Sequence, residues 1–383
     1  MLRPAAVGSR ASAERKLIGL SAPWLDEREE ELVLEVLRSG RLSLGPTIDR
    51  FEEGFADAVG APYAAAVSSG TAGLHLLCVA AGIKPGDEVI TSLYSFVASA
   101  NCAVYEGATP VFADIDPRTL NLDAAAVEAA ITPRTRAVVG VDIFGYPSEL
   151  EELQTICARH GIVFVDDACE ALGAVYKGNR VGAQGQDAVF AFYPNKQITT
   201  GEGGVVTTWS ENKWRLLKSL RNQGRADGGG WLDHARLGFN YRLDDVRAAI
   251  GVGQLEKLGE ILAHRHSVAM RYNDLLAGIA GLELPCPDDV DHVRSWFVYV
   301  VGLPDGADRE AVISSLEARG VQTARYLPCI HLQSYMRERY GFREGLCPVA
   351  EATSRRTLAL PFHARLDVDD QAYVADALRA ALG

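Results

Sequence analysis

From residue 60 onward the chain alternates short apolar runs with amphipathic helical patterns, and this alternation limits the possible folds more than any other feature. Apolar runs stand at 63–67, 89–90, 110–113, 137–141, 162–165, 188–192 and 205–207. Between several of them apolar residues recur three or four apart, as in Leu74, Leu77, Cys78 and again in Leu150, Leu153, Ile156, which is helical spacing; 96–105 and 124–130 also read as helices. Short apolar strands alternating with such helices predict a mostly parallel sheet covered on both faces, an α/β fold. In such sheets ligands bind beyond the carboxyl ends of the strands.

The flanks complete the outline. Asp26 followed by Glu29 and the apolar face Leu32, Val33, Val36, Leu37 predicts a capped helix, and Ile48, Phe51, Phe55, Val59 predict a second. Beyond the sheet, helices are expected over about 244–255 and on to 276. After a change of composition at Pro285-Cys286-Pro287-Asp288-Asp289 come a strand at 296–301 and a helix at 311–319. A chain of 383 residues exceeds what one core usually supports. The expected division is a mobile tail (1–15), a large ligand-binding domain (16–260) and a smaller α+β domain (261–383).

Charge and cysteine content narrow the function. A formal net charge of −12 leaves no basic stripe for nucleic acid. The seven cysteines are scattered with no Cys-x-x-Cys pair, so neither a disulfide framework nor a zinc site is expected, no metal is expected, and a cytoplasmic setting fits. No run approaches the ~20 apolar residues of a membrane span, and the first ten residues lack the apolar core of a signal peptide.

Three features fall at strand carboxyl ends or just after them. Ser69-Gly70-Thr71-Ala72 opens a helix, where free backbone N–H groups and the helix dipole attract an anion. Asp166-Asp167 closes a strand, and alternation lets only one of the two face a given ligand. Lys196 lies between the aromatic run 190–193 and the glycine-rich turn Gly201-Glu202-Gly203-Gly204. A lysine walled in by apolar residues tends toward the neutral, nucleophilic amine. An amine, a carboxylate and an anion cup are what pyridoxal phosphate requires for its aldehyde, ring nitrogen and phosphate. Phe96 or Tyr94 stands at the right strand end to cover the ring.

These blocks, with Ser95-Phe96-Val97-Ala98-Ser99-Ala100-Asn101, Asp166-Asp167-Ala168-Cys169-Glu170, Asn195-Lys196-Gln197-Ile198-Thr199-Thr200-Gly201-Glu202-Gly203-Gly204 and Phe239-Asn240-Tyr241-Arg242-Leu243-Asp244-Asp245, resemble the DegT/StrS group of sugar-nucleotide aminotransferases. So do Ile330-His331-Leu332-Gln333 and Thr357-Leu358-Ala359-Leu360-Pro361-Phe362. The resemblance runs from about residue 18 to the end. It implies a fold-type-I, pyridoxal-phosphate-dependent aminotransferase, usually a homodimer with each site at the subunit boundary. By position it implies Lys196 as the Schiff-base lysine and Asp167 as partner of the ring nitrogen. Phe96 becomes the stacking residue, Gly70, Thr71 and Ala72 the phosphate cup, and Asn240 a group reaching the neighbouring subunit's phosphate. Relatives often carry a serine where Ala191 stands, which removes one donor, about 1 kcal/mol. Glu170 stands where many members have Gln or His, and perosamine-synthase-like members share the Glu.

The implied reaction takes an amino group from an amino acid such as glutamate and gives it to a keto sugar on a nucleoside diphosphate. Lys196 moves protons and Asp167 keeps the ring nitrogen protonated. An anionic substrate on an acidic protein needs local cations, for which Arg242 and His331, then Arg325 with Tyr326, are the candidates. The alternatives are a keto-cyclitol aminotransferase of the inosose type, a deoxysugar dehydratase on the same scaffold, and a pyridoxal-phosphate-bound regulatory protein without catalysis. Dehydratases replace the lysine with histidine, so Lys196 argues against that route.

Overall fold

Seven strands form the central sheet of the computed structural model, which describes residues 17–226, 228, 230 and 232–383. The tail expected at 1–15 lies outside the described residues. In chain order the strands are β1 (Tyr63–Val67), β2 (Glu88–Ser92), β3 (Thr109–Ala113), β4 (Thr135–Val141), β5 (Val163–Asp167), β6 (Asp187–Ala191) and β7 (Gly204–Thr208). Across the sheet they run β1-β7-β6-β5-β4-β2-β3. All pairs from β6 to β3 are parallel, whereas β7 is antiparallel to both neighbours. The mostly parallel sheet is as expected. The reversal at β7 has a local cause: no helix separates β6 from β7. Parallel neighbours need a crossover, while a direct return gives an antiparallel pair. Lys196 sits in that return.

The two N-terminal helices form where the pattern placed them. Asp26 and Glu29 make the reciprocal capping box: Arg28 N–H donates to Asp26 Oδ1 (3.0 Å) and Asp26 N–H to Glu29 Oε2 (2.9 Å). The helix Pro46–Val59 buries Ile48, Phe51, Phe55 and Val59. Phe51 and Phe55 meet Phe192 edge-on at 5.6 and 5.4 Å. Each fully buried phenylalanine contributes about 1.5–3 kcal/mol relative to exposure, so the start of the lysine turn is anchored in the main core.

The helix Leu258–Leu276 joins two cores. Leu258 and Ile261 pack with Phe51, Phe55 and Phe192. Val268, Ala269, Tyr272 and Leu276 pack with Tyr299, Val301, Leu358 and Leu360. The last four lie on an antiparallel pair, Tyr299–Gly302 with Thr357–Leu360. The strand expected at 296–301 starts later because Trp296 adopts φ +55°, which breaks the extended run. The helix expected at 96–105 starts at Ala98, leaving Phe96 on the turn before it. Among the described residues no helix is long and apolar enough to cross a membrane.

Candidate active site

A cavity of about 640 Å³ opens at the carboxyl ends of β1, β5 and β6, bounded on its other side by Phe297 and residues 324–328. At one end the helix Gly70–Ala80 begins directly after β1. Ser69 Oγ caps it by accepting from Ala72 N–H at 3.1 Å. The first N–H groups of a helix have no acceptor within it, and Gly70 and Thr71 line the cavity. Ala72 departs from the expectation: its N–H is taken by Ser69 and it does not line the cavity. Gly70 has a steric requirement, since a Cβ there would lie 2.7 Å from Cys169 Sγ and 2.8 Å from the Ala191 Cβ.

Asp167, the last residue of β5, faces this cavity. Ser99 Oγ donates to its Oδ2 at 2.6 Å and Cys169 N–H to its Oδ1 at 3.3 Å. Ser95 Oγ lies 2.7 Å from Ser99 Oγ and steadies it. Asp166 points to the other face and accepts from Gln186 Nε2 at 3.2 Å, as strand alternation requires. Burial, with Asp142 next, pushes the Asp166 carboxyl well above the usual carboxylate range. Asp142 is itself pushed up to about 7 by burial.

Lys196 reaches the same cavity on the turn after β6. Its Nζ lies 3.9 Å from the centre of the Phe297 ring and 3.5 Å from Glu170 Oε1, with the side chain 13% exposed. The amine thus has an aromatic face on one side and a carboxylate on the other. Glu170 Oε2 accepts from Phe144 N–H at 2.8 Å, and Phe144 holds φ +55° to present that N–H. Such a conformation costs a non-glycine residue on the order of 1 kcal/mol. Burial raises the Glu170 pKa, and the Lys196 charge opposes the shift.

The remaining expected residues divide. Phe96 lines the cavity and is 61% exposed. Tyr94 is fully buried behind the wall, donating to the Tyr326 carbonyl at 2.8 Å, so only Phe96 is placed to cover a ring. Arg325 and Tyr326 line the rim; Arg325 makes a two-point pair with Glu310, and Tyr326 Oη accepts from Asn195 Nδ2 at 3.4 Å. Arg242 and Asn240 do not line the cavity of their own chain. Arg242 donates to Asn222 Oδ1 at 3.0 Å, and Asn240 is exposed. His331 must be corrected as a substrate contact. It is fully buried, with Nε2 3.1 Å from Glu351 Oε1 and its ring against Phe112. Its neighbour Ile330 donates to the Leu93 carbonyl at 2.9 Å, which turns this segment into the core and away from the cavity.

Sequence reasoning missed Ser95 and Ser99 as supports of Asp167; their four-residue spacing beside the aromatic Phe96 was a usable signal. It also missed Phe297, whose approach to Lys196 spans 101 positions and leaves no local trace.

An N–H-lined anion end, a buried carboxylate and an amine now share one cavity. A family match extends over residues 23–379. The chain belongs to the DegT/DnrJ/EryC1/StrS aminotransferase family. GDP-perosamine synthase of Caulobacter vibrioides is 39% identical over 368 residues, covering 95% of this chain and 98% of that protein. Among solved structures, S. venezuelae DesV in complex with a ketimine intermediate superposes with a TM-score of 0.88 at 34% identity, covering 94% of this chain and 98% of that one. Spr1654 of Streptococcus pneumoniae in its PLP form gives a TM-score of 0.91 at 26% identity, covering 96% and 99%. This family member is therefore a fold-type-I, pyridoxal-phosphate-dependent aminotransferase. The cavity fits that cofactor: the helix start at Gly70 and Thr71, whose N–H groups lack acceptors within the helix, opens onto it, and Asp167 is already fixed by two donors.

Proposed function

We propose that this aminotransferase moves an amino group from an amino acid, glutamate first among donors, to a keto sugar linked to a nucleoside diphosphate. The observation that carries the reading is the convergence of Lys196, Asp167 and Glu170 on one cavity whose far wall comes from residues 324–328. The 39% identity to a GDP-perosamine synthase supports a sugar-nucleotide acceptor.

Pyridoxal phosphate, when bound, supplies an electrophilic aldehyde and a ring that accepts electrons. Lys196 would hold the cofactor through its amine and, when that amine is free, would move a proton as general base and acid. Asp167, fixed by Ser99 and the Cys169 N–H, would keep a ring nitrogen protonated. Gly70 and Thr71 bind the phosphate through backbone N–H groups. Phe96 would cover one ring face. Glu170, 3.5 Å from Nζ, would orient the Lys196 side chain within the cavity. Tyr326 and Arg325 meet the acceptor.

In this reading the chain works in the cytoplasm as a homodimer. Residues 16–260 carry the lysine and the carboxylates, and 261–383 form the acceptor wall and bring Phe297 to the lysine. Asn240 and Arg242, which lie off their own cavity, serve the partner's site.

The experiment is a pair of half-reactions on the cofactor-loaded protein. Glutamate should convert the aldehyde-form absorbance to the amine form, and a keto sugar nucleotide should restore it. Failure with every amino acid would end the aminotransfer assignment of these residues. Restoration only by a keto-cyclitol would replace the acceptor.

A further inference from the structure

Arg265 is a buried cation, 2% exposed, in the middle of the helix that joins the two cores. Among the described residues it forms no ion pair with a carboxylate. Burial lowers its pKa to about 10, which leaves it charged near neutral pH. Burying an unpaired charge is costly, and an apolar side chain of similar size is usually no worse for stability. Its hydrogen bonds suggest what it does instead. One arm, Nη2, donates to the Lys196 carbonyl at 2.8 Å and reaches the Asn195 carbonyl at 3.5 Å. The other, Nη1, donates to the carbonyls of Trp296 and Phe297 at 3.1 and 3.0 Å. The Phe297 ring is the one lying 3.9 Å from Lys196 Nζ. The two ends of that contact are therefore tied, through their own main chains, to a single planar group.

We propose that Arg265 is a positioning residue for the reactive lysine: it fixes the turn carrying Lys196 against the segment carrying Phe297 and so sets where the amine stands in the cavity. A planar fork with donors on two sides can hold two chain segments at once, and an ammonium on a flexible stem cannot do so with the same geometry. The inference concerns the lysine alone and holds whatever the acceptor is.

The test uses the holoprotein with pyridoxal phosphate and no substrate, reading the pH midpoint of absorbance of the lysine–cofactor linkage. Variants are Arg265→Lys, Arg265→Met, Phe297→Leu and the doubles, each also melted thermally. The proposal expects the midpoint to move by at least about 0.5 pH unit in Arg265→Lys, and further in Arg265→Met, because the amine's surroundings change. It also expects Arg265→Lys to add little to Phe297→Leu, since both act on one contact. If Arg265→Met does not fold, Arg265→Lys and its double carry the test. A midpoint unchanged in Arg265→Lys while melting falls would make the arginine merely structural and overturn the proposal. Simple additivity with Phe297→Leu would overturn it as well.

Discussion

Asp166 and Asp167 are neighbours in the chain and lie on opposite faces of β5, so their surroundings, not their chemistry, separate their roles. Asp167 meets a hydroxyl and a backbone N–H at the cavity, and Asp167→Asn should keep bound cofactor while turnover falls by at least about 100-fold, as a charge acting in the reaction would require. Lys196→Ala should abolish the adduct that borohydride fixes to the protein, with turnover down by roughly 10⁴-fold or more; mass spectrometry of the fixed protein reads the first effect. On the other face, Asp142 lies near Asp166 and is raised to about 7 by burial. Between about pH 4 and 7 the folded chain thus keeps a proton that the unfolded chain has lost. Stability is full below that window and declines as pH rises through it, by up to about 1.4 kcal/mol per unit. Asp142→Asn removes this group, so its melting temperature should fall less than the wild type's between about pH 5 and 8.

At the level of elements, the helix Gly70–Ala80 shows how closely secondary structure is fitted to the ligand site. A methyl at Gly70 would press on both Cys169 and Ala191; relief moves the helix start away from β6. Gly70→Ala should therefore lower cofactor affinity by about tenfold or more, with a stability loss of about 1–3 kcal/mol typical of overpacking, read by cofactor titration and melting. The alternation of apolar runs and helical spacing made the sheet, the N-terminal capping box and the carboxyl-end location of Lys196 and Asp167 legible in advance, because these depend on local periodicity. What escaped depends on distant chain segments. The contact of Phe297 with Lys196, the fork of Arg265 and the inward turn of His331 are set by how the second core docks, and no window of sequence records that. The late start of the strand at Tyr299 follows from one left-handed residue, Trp296, which periodicity does not reveal either.

For the whole molecule, the placement of Asn240 is the informative fact. It is exposed and absent from its own cavity, which is how a group serving a neighbouring subunit would look before assembly. Lys196→Ala and Asn240→Ala proteins, each inactive, should regain up to about one quarter of wild-type activity when coexpressed, because half of the mixed dimers' sites receive neither change. If Asn240 acts within its own chain, every mixed site carries one defect and no activity returns; sedimentation of the same samples reports the dimer. The cavity itself is built from two sources: β1, β5 and β6 bring the amine and the carboxylates, while 324–328 come from beyond the connecting helix. The two parts meet at the amine, where Phe297 from the later part lies 3.9 Å from Lys196 Nζ. On the proposed reading, changes along 324–328 would retune the accepted guest while the amine and its carboxylates stay where the sheet holds them.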